Sequence, residues 1–262
     1  MMTMETCMNL PLVSHEIPHS LAKEELAGKY NINDFLFVLL HRYIDDKEYR
    51  NIVDTSKQFK ILDNSCFELG EALSNDLIVR YVGEINPDVF VLPDVLGNYE
   101  ETLDRSKKFL FDYPHLEKKA MAVIQGNTHE EFIKCYQDFD SYELAMMGIP
   151  FCFNWASHAT PEEHADERVK LLKVLEPYIN HNRKHHLLGT WDIKEFAHYK
   201  NYKWVYSVDT SNPIAAGIEG DSYPISHKPK IKFDQFVDYP LTDCNINVII
   251  ENVKTFREVV KR

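Results

Sequence analysis

The sequence predicts a single-domain (β/α)8 barrel of the TIM type, and three observations lead to this α/β fold class. Short apolar segments alternate with helical segments at least six times, which is typical of a parallel sheet covered by helices. Seven or eight such apolar segments favour a closed barrel over an open sheet. The chain has 262 residues, 44% of them hydrophobic, which suffices for one core of barrel size.

Seven segments have the composition of buried parallel strands. They are Phe35–Leu40, Phe59–Leu62, Asp88–Leu92, Ala120–Ile124, Leu144–Met147, His186–Leu188 and Trp204–Val208. For the eighth strand the pattern leaves two alternatives, Ile214–Ile218 and Lys230–Phe233. We expect residues 1–30 to be irregular because their periodicity is weak, and residues 1–262 to form one domain because no linker or repeat interrupts them.

Helical segments separate these strands. Thr128 followed by Glu131 is the signature of a capping box, which predicts a helix from there to about residue 139. Pro161 is expected at the first position of another helix, where proline is favoured. Apolar spacing or composition predicts further helices over 45–56 (helix or loop), 68–85, 99–111, 192–199 and 245–260.

Composition argues against several classes of protein. A net charge of −12 weakens non-specific attraction to nucleic acid. The five cysteines are scattered without a C-x-x-C pair, so neither a disulfide framework nor a zinc site is predicted. Without a secretory signal or an apolar run of about 18 residues, we expect a cytoplasmic protein that does not cross the membrane. No G-x-G-x-x-G follows a strand, so no dinucleotide cofactor is expected.

Polar residues or glycines follow the predicted strands. Because strand ends of a barrel converge at one mouth, these residues should line one pocket. They are Asp63, Asp94, Gln125, Gly148, Gly189 and Asp209. Carboxylates that share a pocket shift each other's pKa or bind a cation, as sites that move protons do. Each Asp also fits an ordinary turn cap, and each glycine a simple loop start.

These residue types are suited to binding and cleaving a compound in which a base is linked to a sugar. Two carboxylates that flank a sugar can cleave a glycosidic bond, one as nucleophile and the other as acid and base. Gln125 and an Asp together offer donors and acceptors to the edge of a heterocycle. Phe67 could stack on such a base. Phe67 and Leu188 are equally compatible with positions in the core.

Five segments carry a family resemblance. Asp63–Glu68 reads Asp-Asn-Ser-Cys-Phe-Glu, close to Asp-Ser-Gly-Gly-Phe-Gln, and Val123–Gly126 is close to Val-Val-Gln-Gly. Ala145–Gly148 lies at the position of a third motif, Ile-Gly-Gly-Leu. Leu187–Thr190 is close to Leu-Met-Gly-Val-Gly, and Tyr206–Asp209 is close to Met-Phe-Asp. These motifs, in this order over residues 58–213, resemble the tRNA-guanine transglycosylase family, especially its phage-type relatives that insert 7-deazaguanines into DNA.

The resemblance implies a role for each of these residues. Asp209 would be the nucleophile that bonds to C1′ and Asp63 the general acid and base. Asp94 and Gln125 would read the base edge. The remaining substrate-binding positions would be the backbone of Gly148 and Gly189 and the two side chains that sandwich the ring, Phe67 and Leu188.

The chain also departs from the family pattern. The family's Cys-x-Cys-x-x-Cys zinc site is missing, since only Cys244 follows Asp209. Ser65-Cys66 replaces Gly-Gly, and Met147 replaces a glycine. Because the zinc subdomain is missing, we expect no metal and favour DNA over tRNA as the partner, together with a free nucleobase.

Three basic or histidine-containing stretches remain. Lys228, Lys230 and Lys232 are either phosphate contacts beside the mouth or a solvated loop. His15–His19 has the letters of a zinc-protease H-E-x-x-H, but Pro18 would break the helix this motif needs. His181 and His185 have the same spacing and are expected in a solvated loop.

The expected function is therefore cleavage of an N-glycosidic bond in nucleic acid with exchange of the base. Three alternatives stay open at this point. They are a DNA glycosylase that leaves an abasic site, a non-catalytic barrel that binds a nucleobase, and a hydrolase of small nucleosides, which the negative charge would suit.

Overall fold

The computed structural model describes residues 11–151, 161–189, 193–223, 231 and 237–261. Eight parallel strands alternate with helices and form a nearly closed barrel, so the predicted (β/α)8 fold is confirmed. The strands are β1 (Leu12–Ser14), β2 (Leu36–Leu39), β3 (Lys60–Asp63), β4 (Val89–Val91), β5 (Ala120–Val123), β6 (Met146–Ile149), β7 (Lys184–Leu187) and β8 (Val205–Asp209). Their order in the sheet is β1-β8-β7-β6-β5-β4-β3-β2.

Helices follow the strands and cover the sheet from outside. They are α1 (His19–Leu26), α2 (Leu40–Asp45), α3 (Lys47–Thr55), α4 (Cys66–Leu69), α5 (Asn75–Ile85), α6 (Tyr99–Asp112), α7 (His129–Asp140), α8 (Pro161–Leu175), α9 (Ile193–Tyr199), α10 (Asn212–Glu219) and α11 (Asp243–Val260). Thr128 is the N-cap residue of α7, because its Oγ1 accepts a hydrogen bond from Glu131 N at 3.2 Å, but the predicted capping box is incomplete, because Glu131 Oε2 accepts from Asn127 N instead of Thr128 N. No helix within the described ranges has the length and apolar character needed to cross a bilayer.

The eighth strand comes from the N-terminal segment, where an irregular structure was predicted. Strand β1 pairs with β8 through Leu12–Ser207, Val13–Val208 and Ser14–Asp209. The prediction was wrong because a strand of three residues is too short to produce a periodic pattern. Lys230–Phe233 lies outside the described residues apart from Ile231, which is in no strand.

The other candidate for the eighth strand, Ile214–Ile218, is also wrong, because it lies in the buried helix α10. Gly217 explains how this helix packs: a Cβ there would lie 2.5 Å from Ile249 Cγ1 and 2.8 Å from the Ile249 backbone. The missing side chain therefore lets α10 and α11 approach closely. Because α10 is buried, it is apolar on all sides, and its sequence therefore resembles that of a buried strand.

Two further expectations need correction. The helix predicted over 68–85 is two helices, α4 and α5, separated after Gly70, which has φ 81°. His185 is not in a solvated loop but buried in β7, where its Nε2 is 2.9 Å from Tyr136 Oη. A buried hydroxyl is thus the partner of Nε2, and the sequence contains no local sign of this contact.

Two apolar layers result from the alternation of side chains along each strand. The barrel interior is filled by a cluster that includes Phe35, Phe37, Ile61, Met121 and Met146. A second and larger cluster fills the space between the strands and the surrounding helices. The residues at the mouth therefore lie directly above this interior cluster, at the ends of the same strands.

The barrel is least tightly joined between β1 and β2, where side chains replace part of the hydrogen-bond ladder. Phe37 N donates to Ser14 Oγ at 3.1 Å, and Leu39 N donates to Tyr49 Oη at 3.0 Å. A cavity of about 480 Å³ lies beside this seam, lined by residues of β1, β2, α1 and α3. The seam thus leaves one side of the mouth less enclosed by backbone than the others.

Candidate active site

Asp63 and Asp209 end strands β3 and β8 at the same mouth of the barrel, and each is only 7% exposed. Burial raises the pKa of Asp63 well above its usual range, and the charge of Glu68 raises it further. The charges of Asp94 and Asp209 act in the same direction, while a hydrogen bond from Ser65 N to Oδ2 at 2.6 Å opposes them. Asp63 is therefore better suited than an ordinary aspartate to carry a proton.

The carboxylate of Asp209 is held through one of its two oxygens. Oδ1 accepts a hydrogen bond from Gly189 N at 2.9 Å and lies 3.0 Å from His186 Nε2. Within the described part of the chain, both of these contacts are made by Oδ1. Oδ2 is therefore the oxygen that the described residues leave for a ligand.

Asp94 and Gln125 also meet at the mouth, but they are hydrogen bonded to each other. Asp94 Oδ2 accepts from Gln125 Nε2, and Asp94 Oδ1 accepts from Asn64 Nδ2, both at 2.7 Å. Gln125 Oε1 accepts from Gly97 N at 3.0 Å. Burial raises the pKa of Asp94, and the hydrogen bonds from Asn64 and Gln125 oppose that shift. The pair is thus fixed in place before any ligand arrives.

The loop after β3 has an unusual backbone at Ser65, whose φ is 62°. This left-handed conformation favours glycine. Asn64 Oδ1 accepts from Cys66 N at 2.9 Å, and Ser65 Oγ accepts from His41 N at 3.1 Å, so local hydrogen bonds maintain the turn. Phe67 follows at the start of α4 and is 61% exposed, so it lies outside the core.

The two predicted glycines have steric roles. A Cβ on Gly148 would lie 2.8 Å from Leu188 Cδ1 and 3.0 Å from Val123 Cγ2, so Leu188 packs directly over this glycine. Gly189 has φ 56°, which favours glycine, and its N–H reaches Asp209. Leu188 belongs to the interior cluster, at the edge of the mouth.

Arg168 is a supporting residue that sequence reasoning missed. It is fully buried in α8 and donates hydrogen bonds to the carbonyls of Leu188 and Gly189 and to Glu195 Oε1, each at 2.6 Å. Tyr199 also contacts both charged groups. This buried ion pair fixes the loop that presents Gly189 N to Asp209.

Glu16 and Glu68 are two further mouth carboxyls that the sequence did not reveal. Burial raises the pKa of Glu16 to about 8, helped by the charges of Glu68 and Asp209 and opposed by Ser211 and Arg42. Burial also raises the pKa of Glu68, although this side chain keeps contact with solvent in the open mouth. Glu16 was missed because it follows β1, the strand that was not predicted.

His186 is a fourth missed residue. It is fully buried inside the barrel, with its ring stacked on Phe37 at 5.3 Å and 17°. Its Nδ1 lies 2.8 Å from Ser207 Oγ, while Nε2 faces Asp209. The sequence did contain a signal for His186. Strand residues two positions apart point to the same face, so His186 should point inward as Leu188 does.

Several predicted residues lie outside the described part of the chain. They are Lys228, Lys230, Lys232 and Thr190. Phe151 is described and is buried beside Gly189.

The described residues contain no group of three or more His, Cys, Asp or Glu side chains arranged to hold a metal ion. His15 and His19 do not share a helix face, because Pro18 is the N-cap residue of α1 and His15 precedes it. His15 Nδ1 lies 2.8 Å from the Thr210 carbonyl, and burial lowers the pKa of His15 to about 4. His15 therefore connects the loops after β1 and β8.

The mouth combines a buried carboxyl whose pKa is raised with a carboxylate, Asp209, whose contacts with the described residues involve only Oδ1. This arrangement can transfer a proton to a leaving group and attack an electrophilic carbon within one pocket. No protein-family model matches the chain, and the curated proteins include no significant match to it.

Proposed function

We propose that this protein breaks the N-glycosidic bond between a base and its sugar in nucleic acid, with DNA favoured, and exchanges guanine for a 7-deazaguanine-type base. The observation that carries the proposal is the pairing of Asp63, whose pKa is raised, with Asp209, whose hydrogen bonds to the described residues all involve Oδ1 and leave Oδ2 for a ligand. The charge of Asp209 contributes to the raised pKa of Asp63, so a sugar bound at the mouth would meet both carboxyls.

The chemistry requires two displacements at C1′. Asp209 Oδ2 attacks C1′, the electrons of the glycosidic bond pass to the departing base, and Asp63 donates its proton to that base. An ester between Asp209 and the sugar results. The incoming base then attacks C1′, gives its proton to the Asp63 carboxylate, and releases Asp209. The base would be flipped out of its stack to reach the mouth.

The family resemblance supports the proposal at specific positions. Ser65 has the left-handed backbone at the position where the family's first motif has glycine. Gly189 and Asp209, which belong to two separate motifs, are joined by a hydrogen bond. Asp94 and Gln125, which would read the base, are adjacent, and their hydrogen bonds to the described residues leave lone pairs and one amide hydrogen for that purpose. Phe67 is exposed, as a stacking residue must be.

A covalent trap tests the proposal. The protein is incubated with an oligonucleotide and labelled 7-deazaguanine, denatured, and examined by intact mass spectrometry. We expect a protein–DNA adduct and incorporation of label, both absent in Asp209→Asn. Asp104→Asn serves as the matched control, because it removes an exposed carboxylate of α6 far from the mouth. Abasic sites without incorporated label would instead identify an excising glycosylase.

A second candidate is hydrolysis of free nucleosides, favoured by the net charge of −12 and by several carboxyls around the mouth. These charges repel phosphates, so an uncharged nucleoside would enter more easily than a polymer. Turnover of nucleosides with no reaction on oligonucleotides would support this function. Binding of a nucleobase that survives Asp209→Asn, with no adduct from any substrate, would instead indicate a non-catalytic barrel.

A further inference from the structure

His186 lies directly beside Asp209, and no step of the mechanism above uses it. The imidazole is completely buried, which is expensive for a polar ring unless both nitrogens have partners. Both do: Nε2 is 3.0 Å from Asp209 Oδ1, and Nδ1 is 2.8 Å from Ser207 Oγ. The ring therefore connects a candidate nucleophile to a buried hydroxyl.

The bonding pattern defines which ring nitrogen carries the hydrogen. A carboxylate oxygen only accepts, so Nε2 must be the donor toward Asp209. Ser207 is 1% exposed, and Nδ1 is its side-chain partner among the described residues. Donation from the Ser207 hydroxyl to Nδ1 satisfies this buried group, whereas a second ring hydrogen would leave the hydroxyl hydrogen without an acceptor. The neutral Nε2–H tautomer follows.

Aromatic packing fixes the plane of the imidazole. Phe37 stacks on its face at 5.3 Å, and Phe35 meets it edge-on at 6.0 Å and 84°. On the other side of Asp209, the donor is the backbone N–H of Gly189, in a loop held by Arg168. Two donors on rigid supports thus bind the same oxygen, Oδ1, and the position of Oδ2 follows from theirs.

We propose that His186 is a positioning residue that holds Asp209 with Oδ2 toward the sugar, and that Ser207 supports it by donating a hydrogen bond to Nδ1. The proposal deepens the function proposed above and rests on it. In the ester, Oδ1 is the carbonyl oxygen and still accepts from His186. When C1′ leaves Oδ2, the negative charge that returns to the carboxylate is stabilised by the same two donors. His186 keeps its hydrogen throughout.

Nitrogen NMR of the imidazole tests the tautomer without any substrate. In uniformly ¹⁵N-labelled protein, the His186 signals are identified by their loss in His186→Gln. We expect one protonated ring nitrogen, Nε2, and one unprotonated, Nδ1, at neutral pH. We also expect Ser207→Ala to change the signal of Nδ1, which loses its hydroxyl donor, and to leave Nε2 protonated. A ring protonated at Nδ1 in the wild-type protein, alone or in addition to Nε2, would overturn the proposal.

Single-turnover kinetics tests positioning. His186→Phe keeps an aromatic ring against Phe37 but removes the donor, and we expect formation of the Asp209 adduct to slow about 100-fold with substrate affinity unchanged. His186→Gln can still donate and should recover most of that rate. If His186→Phe does not fold, Ser207→Ala provides the comparison, with a smaller decrease expected.

An adduct rate equal to that of wild type in a folded His186→Phe or Ser207→Ala protein, while Asp209→Asn is inactive, would refute positioning. Failure of the proposed function has a different signature, namely no adduct from the wild-type protein with any substrate. In that case the NMR measurement would still test the hydrogen bond between His186 and Asp209. His186 signals that are unchanged in Asp209→Ala would refute this contact.

Discussion

The two sides of the barrel mouth differ in how completely their carboxyl groups are hydrogen bonded. On one side, both oxygens of Asp94 accept from amide side chains of neighbouring loops, at 2.7 Å each. On the other side, the described contacts of Asp209 reach only Oδ1, and those of Asp63 only Oδ2. Glu16 and Glu68 add further carboxyls to this second side, where Arg42 is a cation that opposes their raised pKa values.

This difference separates two tasks within one pocket. A carboxylate bonded at both oxygens fixes geometry, which suits recognition of a flat ligand. Carboxyls that are buried with few hydrogen bonds compete for protons, which suits acid–base and nucleophilic chemistry. The first side should therefore contribute stability, and the second should cost stability and contribute reactivity. Four substitutions test this contrast.

The largest effect is expected for Asp63→Asn. If Asp63 is the proton donor, cleavage should slow by about 10²- to 10⁴-fold. Wild-type activity should fall as pH rises through the raised pKa of Asp63, because the protonated form is then lost, and this limb should vanish in the variant. Stability should stay within about 1 kcal/mol of wild type or increase, since the amide oxygen can still accept from Ser65 N. An unchanged rate and pH profile would contradict the assignment.

In contrast to Asp63→Asn, Asp94→Ala should destabilise the fold, by about 3 kcal/mol. It leaves the amide hydrogens of Asn64 and Gln125 buried without an acceptor, at about 1 to 3 kcal/mol each. Urea unfolding at pH 7 measures the change, with Asp104→Ala on the exposed face of α6 as control. Equal midpoints for the two variants would remove the contrast between the two sides of the mouth.

Glu16→Gln should alter how stability depends on pH. The pKa of Glu16 is raised from 4.5 to about 8 in the folded protein. Its contribution to stability is therefore fully present below about pH 4.5 and is lost as pH rises toward 8. The variant lacks this loss, so its free energy of unfolding should rise by about 2 kcal/mol relative to that of wild type across that window. Each pKa unit corresponds to about 1.4 kcal/mol, and contact of Glu16 with solvent reduces the total.

Thermal unfolding from pH 4 to 9 measures the effect of Glu16→Gln. Glu258→Gln, on an exposed position of α11, is the control and should follow the wild-type curve. Parallel curves for the wild type and Glu16→Gln would show that Glu16 is not buried as a carboxylic acid.

The smallest effect is expected for Phe67→Ala. Phe67 is 61% exposed, so its removal should change stability by less than about 0.5 kcal/mol. If it stacks on the base, affinity for substrate should fall by about 1 kcal/mol, which is roughly fivefold. Phe111→Ala is a matched control, because Phe111 is 85% exposed near the C-terminal end of α6. Equal affinities for the two variants would exclude stacking by Phe67.

The sequence by itself determined the barrel and most of the residues at its mouth. Seven strands were predictable because a strand buried on both faces is a continuous apolar run, and such runs were followed by Asp63, Asp94, Gln125 and Asp209. The convergence of strand ends is a property of every parallel barrel, so residues far apart in the chain could be assigned to one pocket from the order of the strands alone.

Only the tertiary structure decided how the barrel closes and how its mouth is divided. Strand β1 is too short to be recognised and is defined by its pairing with β8, so Glu16 could not be predicted. The bonding of Asp94 to Asn64 and Gln125, and of Asp209 to His186 and Gly189, joins residues about 20 to 30 positions apart. The physical reason is that burial and hydrogen bonding depend on neighbours in space, whereas a sequence pattern reports only neighbours along the chain.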